Sequence, residues 1–494
     1  MQAVKIHPGD VVAVALTDLK KGEVVALDGG LNVTLVDDIT RGHKFAIAEL
    51  KEGDPVIKYG FPIGKAKCDI HVGQHVHTHN VKTALAGQGE YSYNKLAPAK
   101  LPKVERTFMG YRRKNGSVGI RNEVWIIPTV FCVNEVAREL ERYAQEKLSA
   151  YPHVDDAIAL THPYGCSQMG DDMTTTQKVL ACLSAHPNAG AVLILGLGCE
   201  NNNIGVFKQF LDESDERLYF LNSQEVEDEY EEGKKLIDTM LAKINACERE
   251  EVPLSELRIG LKCGGSDGLS GITANPLIGR VSDLVVGAGG SSVMTEVPEM
   301  FGAEQLLMNR AVNEEVFKES VCLINNFKQY FISHGQVVSE NPSPGNKAGG
   351  ITTLEDKSLG CVQKGGSAEV SGVITYGDNI KVKGLNLLQG PGNDGVSSTA
   401  LAAAGCHMVL FSTGRGTPFS TVVPTIKIST NTALYQKKPA WIDFNAGQIV
   451  DGRSFEEVTA DLLDYVIKIA SGQKSVSEKR GVHEIVIWKD GVTM

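Results

Sequence analysis

The sequence predicts a multidomain α/β chain in which a small all-β module precedes a large part built mainly from parallel sheets. In residues 1–90, short β-rich runs are separated by glycine-containing turns, as in compact all-β modules. These runs lie at 11–16, 24–27, 31–35 and 55–59. From Phe108 onward, apolar strand patterns alternate with helical spacing. This alternation indicates parallel sheets that are covered by helices.

Length and composition divide the chain further. Its 494 residues suffice for roughly two to four domains of about 150 residues each. Residues 91–106 contain Pro98 and Pro102 and lack hydrophobic periodicity, which predicts a linker. We therefore expect a β-module at 1–90, a first α/β domain at 107–250 and a second α/β domain at 251–494.

Each α/β domain has its own predicted series of elements. The first has strands at 123–128, 157–160 and 191–195 and helices at 134–150, 174–185 and 225–246. The second has strands at 257–261, 283–286, 385–388 and 407–411 and a helix at 396–404. His153 and His186 each adjoin a proline, so surface turns are expected there.

Charge and cysteine usage limit the partners and the compartment. A net charge of −11 and a pI near 5.6 argue against nucleic acid or an anionic membrane as a partner. No cationic region with an apolar core opens the sequence, and no run approaches about 20 apolar residues, so we expect a cytoplasmic protein. Ten cysteines without CxxC pairs fit a reducing compartment. Five of them are expected to fill the core: Cys68, Cys132, Cys182, Cys247 and Cys322.

Residues 71–80 hold four of the 12 histidines and form the strongest candidate for a chemical site. Alternate side chains of a strand share a face, so His75, His77 and His79 are predicted to converge, with Val76 and Thr78 turned away. Neutral imidazoles bind first-row metals and transfer protons near pH 7. The pattern predicts a metal or acid/base site, and a solvated histidine-bearing strand is the alternative.

Polar clusters also follow several predicted strands. Cys199 and Glu200 follow strand 191–195, Cys263 and Asp267 follow strand 257–261, and Arg415 follows strand 407–411. Ligands of open α/β sheets collect beyond these strand ends, which favours a polar active site over capped turns. A GxGxxG pattern at 390–395 lacks an acidic residue about 20 positions later, so it indicates a tight turn or a carboxylate-binding helix start instead of a dinucleotide site.

Longer motifs carry a family resemblance over essentially the whole chain. They lie at 41–44 (Arg-Gly-His-Lys), 75–80 (His-Val-His-Thr-His-Asn), 164–168 (Tyr-Gly-Cys-Ser-Gln), 196–202 (Gly-Leu-Gly-Cys-Glu-Asn-Asn), 263–271 (Cys-Gly-Gly-Ser-Asp-Gly-Leu-Ser-Gly), 295–304 (Thr-Glu-Val-Pro-Glu-Met-Phe-Gly-Ala-Glu) and 341–350 (Asn-Pro-Ser-Pro-Gly-Asn-Lys-Ala-Gly-Gly). With these motifs the chain resembles the altronate/galactarate dehydratase family. Its N-terminal module resembles the SAF domain, a small β-clip fold, and the remainder resembles the family's catalytic part.

The resemblance implies a hydro-lyase that acts on a small sugar acid. Conversion of D-altronate to 2-keto-3-deoxy-D-gluconate in hexuronate breakdown is expected first. It also implies a divalent metal, Fe²⁺ with Mn²⁺ as a replacement. We expect a homo-oligomer, first a dimer.

Dehydration of such an acid needs removal of the proton next to the carboxylate, stabilisation of the resulting charge and loss of a hydroxyl group. Residue type assigns candidates to these roles. The metal-ligand candidates are His75, His77, His79, Cys199 and Cys263. The catalytic candidates are His43, Lys44, His77, Glu200 and Asp267. Lys347 and Arg415 are the candidates for holding the substrate carboxylate.

Two other functions stay open at this point. One is a related lyase on the same scaffold, such as a galactarate dehydratase or a sulfolactate sulfo-lyase. The other is a sugar-acid-binding protein without catalysis, which predicts that the histidine face and the Cys/Glu loops do not share a pocket.

Overall fold

The computed structural model describes residues 2–85 and 87–493. The described N-terminal module consists of short antiparallel strands: β1 (Ala3–Val4), β2 (Val12–Ala15), β3 (Val24–Ala26), β4 (Asn32–Thr34), β5 (Lys44–Ala46), β6 (Pro55–Lys58), β7 (Phe61–Ala66), β8 (His75–Val76) and β9 (Val81–Lys82). They form a sheet in the order β1-β2-β5-β8, a hairpin β3-β4 and a sheet β6-β7-β9. The prediction of an all-β module is confirmed.

The next part contains a four-stranded sheet in the order β13-β12-β14-β15, in which all strands are parallel. Its elements are β10 (Thr107–Arg112), β11 (Val118–Gly119), β12 (Glu123–Pro128), α1 (Asn134–Lys147), β13 (Ala157–Ala159), α2 (Asp172–Ser184), β14 (Ala189–Gly196), α3 (Ile204–Phe207), β15 (Leu218–Asn222), α4 (Glu229–Ile244) and β16 (Glu250–Pro253). Strands β10, β11 and β16 form a separate antiparallel sheet.

A seven-stranded parallel sheet, ordered β19-β20-β18-β17-β21-β22-β23, organises the rest. Its elements are β17 (Arg258–Cys263), α5 (Ala274–Gly287), β18 (Ser291–Met294), α6 (Glu304–Met308), α7 (Glu314–Ser333), α8 (Pro344–Ala348), α9 (Leu354–Cys361), β19 (Val370–Ile374), β20 (Gly384–Leu388), α10 (Asp394–Ala403), β21 (Met408–Thr413), β22 (Thr425–Ser429), α11 (Thr432–Lys437), β23 (Phe444–Asn445) and α12 (Phe455–Ala470). The predicted parallel α/β architecture is confirmed.

The parts of the chain pack through shared apolar cores. Val56 and Ile63 of the module belong to the same core as Leu277 of α5. A second core joins the two parallel sheets, with Leu180 of α2 and Leu401 of α10 among its members. Residues 91–106 form no helix or strand, but they lie against the large part, where Tyr91 Oη donates to Glu304 (2.6 Å). Within the described residues no helix is long and apolar enough to cross a membrane.

Three local predictions are wrong. The apolar run 283–286 lies inside helix α5, because a short apolar run fits a buried helix face as well as a strand. The five cysteines expected in the core are exposed, apart from half-buried Cys182, whereas Cys263, Cys361 and Cys406 are buried. His186 is buried, not in a surface turn: it stacks on Trp125, and its Nε2 lies 3.1 Å from the Cys406 carbonyl oxygen.

Candidate active site

Four imidazoles converge on the edge of the β-module, and we call His43, His75, His77 and His79 the histidine cluster. The ring centroids of His75 lie 5.1, 5.5 and 5.4 Å from those of His43, His77 and His79, respectively. His43 Nδ1 is 3.0 Å from His75 Nε2. The predicted convergence of His75, His77 and His79 is therefore present, with His43 added to it.

The local backbone explains how the rings meet. Strand β8 pairs with β5, so that His75 lies opposite Phe45 and beside His43, which precedes β5. The strand ends at Val76, and His77–Asn80 is a turn, so the expected strand of alternating histidines is shorter than predicted. Asn80 fixes this turn: its Oδ1 accepts from the His77 amide (2.9 Å) and its Nδ2 donates to the His75 carbonyl (2.8 Å).

Three members of the histidine cluster, His43, His75 and His77, have lowered pKa values and are uncharged at neutral pH. Burial lowers the pKa of His75 to about 4, and the neighbouring His43 and His79 add to the effect. Burial followed by the Lys44 ammonium lowers the pKa of His77 to about 3. Neutral imidazoles can accept a proton or bind a metal, but they cannot donate a proton as a protonated histidine would.

The cluster faces a segment of the second α/β domain. His43 Nε2 lies 3.3 Å from the Ala348 carbonyl oxygen, and His77 Nδ1 lies 3.2 Å from Thr352 Oγ1. Next to them, buried Lys44 forms an ion pair with Asp356 (2.9 Å) and donates to the Gly350 carbonyl (2.9 Å). Burial lowers the pKa of Lys44 to about 8 although Asp356 opposes this shift. Through these bonds Lys44 joins the β-module to the large part.

Both candidates for carboxylate binding lie near this segment. Lys347 is exposed on α8 and lines a cleft of about 630 Å³ that also contains Cys263 and Glu299. Exposed Arg415 approaches the other end of α8, where its Nη1 is 3.4 Å from the Gly345 carbonyl oxygen. Two cationic side chains without an ion-pair partner among the described residues therefore flank α8, whose last carbonyl contacts His43.

A second cluster lies at the end of β17, and we call Cys263, Glu299 and Cys361 the cysteine cluster. The two sulfur atoms are 3.3 Å apart, and each lies 3.1 Å from Glu299 Oε2. All three side chains are buried. Glu299 and Cys361 were not among the predicted site residues, although Glu299 falls within the 295–304 motif.

Lysines surround the cysteine cluster. Lys364 Nζ donates to Cys263 Sγ (2.9 Å), and Lys357 Nζ forms an ion pair with Glu299 (2.7 Å). Lys262 contacts Glu296 and Asp394, and Lys364 also contacts Glu296. Burial opposes ionisation of Glu299, but the three ammonium groups outweigh it and hold the pKa of Glu299 well below its usual range. Three lysines and three carboxylates thus balance one another.

One helix joins the two clusters. On α9, Asp356 binds Lys44 and Lys58 of the module, and the next residue, Lys357, binds Glu299. A polar cavity of about 10 Å³, enough for roughly one water, is lined by Asp267, Asp356 and Cys361 among others. Asp356 and Lys357 of α9 therefore link the residues beside the histidine cluster to the cysteine cluster.

The remaining candidates occupy two different places. Asp267 accepts from Thr430 Oγ1 (2.9 Å) and from Ser270 Oγ (3.1 Å), and burial raises its pKa despite these bonds. Cys199 and Glu200 follow β14 in the other parallel sheet. Glu200 accepts from Thr129 Oγ1 (2.6 Å), and such bonds outweigh the effect of burial and lower its pKa. No hydrogen bond or ion pair joins this loop to either cluster among residues 2–85 and 87–493.

The two clusters offer a divalent first-row metal different things: among the described residues only Cys263, Glu299 and Cys361 bring three ligand atoms within 4.8 Å of one another, whereas the histidine cluster has ring nitrogens without partners. In the described part of the chain, His77 Nε2 and the ring nitrogens of His79 have no hydrogen-bond partner, and such ring nitrogens are ligands for first-row metals. The three-ligand set of Cys263, Glu299 and Cys361 is close enough for a metal. However, ammonium groups already occupy Cys263 Sγ and Glu299 Oε1.

Buried ion pairs attach the β-module to the parallel α/β part. Imidazoles of the module and cationic side chains of the large part meet at this boundary, as expected of a two-module enzyme. Family models support this class. The altronate/galactarate dehydratase SAF domain matches residues 1–84, the D-galactarate dehydratase/altronate hydrolase second domain matches 110–245, and the D-galactarate/altronate dehydratase C-terminal model matches 254–493.

Similar proteins extend over the whole chain. The altronate dehydratase of Bacillus subtilis (strain 168) is 54% identical over 99% of both chains, and that of Escherichia coli (strain K12) is 51% identical over 100% of both. The galactarate dehydratase (L-threo-forming) of Escherichia coli (strain K12) is 34% identical over 97% of this chain and 95% of its own. The chain belongs to the D-galactarate/altronate dehydratase family, and the resemblance found in the sequence motifs is confirmed.

Proposed function

We propose that this chain is a hydro-lyase that converts D-altronate to 2-keto-3-deoxy-D-gluconate and water in hexuronate breakdown. The observation that carries this proposal is similarity over the full length. Relatives named altronate dehydratase are 51–54% identical, whereas the one named galactarate dehydratase is 34% identical. The reaction removes the proton from C2 and the hydroxyl group from C3, and the resulting enol becomes the 2-keto acid.

The boundary between the modules supplies groups for this chemistry. Lys347 and Arg415 hold the substrate carboxylate, which fixes C2 near α8. His43 accepts the C2 proton at Nδ1, because burial lowers the pKa of His43 and keeps its ring neutral, and Nε2 carries the ring hydrogen that it donates to the Ala348 carbonyl oxygen. Lys44 positions His43 through its buried ion pair with Asp356.

We further propose that His75, His77 and His79 hold Fe²⁺, with Mn²⁺ as a replacement. The bound metal would supply Lewis acidity toward the substrate oxygens. Imidazole nitrogens favour such ions over magnesium. Cys199 lies in the loop after β14, and Cys263 Sγ accepts a hydrogen bond from Lys364. We therefore rank both cysteines below the histidines as metal ligands.

The metal is tested by removal and return. Chelator treatment should lower both bound metal and dehydratase activity, and anaerobic Fe²⁺ should restore activity better than Mg²⁺. Elemental analysis provides a readout that does not depend on turnover, and His77→Ala should bind less iron than wild type. Full activity in metal-free protein would overturn this part of the proposal.

The substrate is tested by direct comparison. Purified, iron-loaded protein is incubated with D-altronate or with galactarate, and the product is identified by mass spectrometry as the loss of one water. We expect kcat/KM for D-altronate to exceed that for galactarate by at least about 10²-fold, the scale of a few misplaced hydroxyl contacts. Equal rates would contradict the assignment. We also propose a cytoplasmic homodimer, which cell fractionation and light scattering can test.

A further inference from the structure

The cysteine cluster has a property that the dehydration reaction does not use. Cys263 and Cys361 are 98 residues apart in sequence, yet their sulfur atoms touch at 3.3 Å. The S–S bond of a disulfide is about 2.05 Å long. Side-chain rotations that bring the two sulfur atoms closer by roughly an ångström therefore put them within bonding range. Among the described residues, no other two cysteine sulfurs are in such a contact.

The surroundings favour one sulfur as the attacking atom. Lys364 Nζ donates to Cys263 Sγ at 2.9 Å, whereas no lysine among the described residues donates to Cys361 Sγ. Cys263 also lines the cleft of about 630 Å³, through which a small oxidant can reach it. Cys361 lies behind it on the small internal cavity, in position to react second. Glu299 receives hydrogen bonds from both thiols and holds the two sulfur atoms on the same side of its carboxylate.

We propose that Cys263 and Cys361 form a reversible disulfide when the protein meets a peroxide, and that this modification switches the enzyme off. The Cys263 sulfur attacks one peroxide oxygen, the O–O bond breaks, and a sulfenic acid and water form. The Cys361 sulfur then attacks Cys263, the S–S bond forms, and a second water leaves. Two thiols lose two electrons in total, and one peroxide is reduced to two waters.

The expected loss of activity follows from the position of Cys361 at the end of α9. The crosslink pulls this helix end toward β17 and removes both thiol donors from Glu299. The same helix carries Asp356, which holds Lys44 beside the histidine cluster. This effect on turnover rests on the proposed function, whereas formation of the bond does not.

Peptide mapping of the full-length protein tests the proposal. After treatment with graded hydrogen peroxide, non-reducing digestion and mass spectrometry should reveal a Cys263–Cys361 peptide with two hydrogens fewer, and the free thiol count should fall by two. Dithiothreitol should reverse both changes. Cys361→Ser should give no crosslink, whereas Cys322→Ser, at an exposed cysteine, should crosslink like wild type.

Activity distinguishes the switch from oxidation of iron. Crosslinked protein should regain turnover with dithiothreitol plus Fe²⁺ but not with Fe²⁺ alone. Recovery with Fe²⁺ alone while the crosslink persists would overturn the switch. Oxidation of the exposed cysteines with Cys263 and Cys361 still reduced would overturn the modification site itself, even in a protein whose dehydratase activity is normal.

Discussion

The histidine cluster and the cysteine cluster are both polar and near each other, but their bonding differs. His75 and His77 are neutral and half-buried, and ring nitrogens of His77 and His79 lack partners in the described part of the chain. The cysteine cluster is buried, its sulfurs and Glu299 are hydrogen-bonded, and its charges balance. Unpaired ring nitrogens mark the histidine cluster as the place where a ligand can bind. Fully hydrogen-bonded side chains mark the cysteine cluster as a part that stabilises the fold.

The largest expected effect on stability comes from breaking the ion pairs around the cysteine cluster. Lys364→Met leaves Glu296 and Cys263 with one cation fewer in a buried site. Removing one partner of a buried ion pair typically costs about 3–5 kcal/mol of unfolding free energy. Urea denaturation measures the change. Lys383→Met is the control, because its pair with Glu256 is exposed and should cost under about 1 kcal/mol. Equal stability of both variants would mean that the cysteine cluster is not structural.

The histidine cluster should respond in the opposite way. His77→Ala should lower kcat by about 10²-fold or more, which corresponds to about 2.7 kcal/mol of activation free energy. The melting temperature should change by less than about 2 °C, because a half-buried polar ring contributes little packing. Steady-state kinetics and calorimetry measure the two quantities. His71→Ala, at an exposed histidine of the same module, should keep the normal rate. Normal turnover and iron content in His77→Ala would show that the cluster is not catalytic.

A buried histidine outside the active site sharpens the contrast. His186→Ala removes partners of the Cys406 carbonyl and the Asn188 amide and the stacking on Trp125. Unsatisfied buried groups cost about 1–3 kcal/mol, so we expect a loss of about 2 kcal/mol in unfolding free energy with kcat of the folded enzyme unchanged. The half-buried His153 provides the control, since its substitution should have a small effect on both. An unstable His153→Ala with a stable His186→Ala would reverse this assignment.

The same burial makes stability depend on pH. The pKa of His162 is lowered to about 4 and that of His186 to about 3, against 6.5 for an ordinary histidine. At a pH between the folded and the unfolded pKa of each histidine, the unfolded chain binds a proton and the folded chain does not. The unfolding free energy therefore decreases as the pH falls below about 6.5. We expect roughly 1–2 kcal/mol less per histidine at pH 5 than at pH 7. Urea midpoints at both pH values should show a shallower dependence for His186→Ala than for wild type, and parallel profiles would contradict this cause.

Much of the fold could be predicted from the sequence because local patterns determine it. The alternation of strands and helices after Phe108 predicted two parallel sheets, and both are present. The strand expected at 283–286 failed because burial on all sides removes the periodicity that separates helix from strand. His186 was misplaced because a neighbouring proline marks a turn without showing what packs over it.

The candidate site was predictable where its residues are close in sequence. His75, His77 and His79 stand within five positions, so their meeting follows from short-range geometry. Cys361 lies 98 residues from Cys263, and only the packing of α9 against the strand ends brings the two together. No sequence pattern near Lys364 or Cys263 predicts the contact between them.

Helix α9 places consecutive side chains in different centres: Asp356 binds the β-module, and Lys357 binds Glu299. Successive residues of an α-helix differ by about 100° in direction and 1.5 Å along the axis. A sliding or rolling movement of this helix therefore cannot alter one centre and leave the other in place. Docking of the module and the charge balance at the end of β17 are therefore coupled through a single turn of α9.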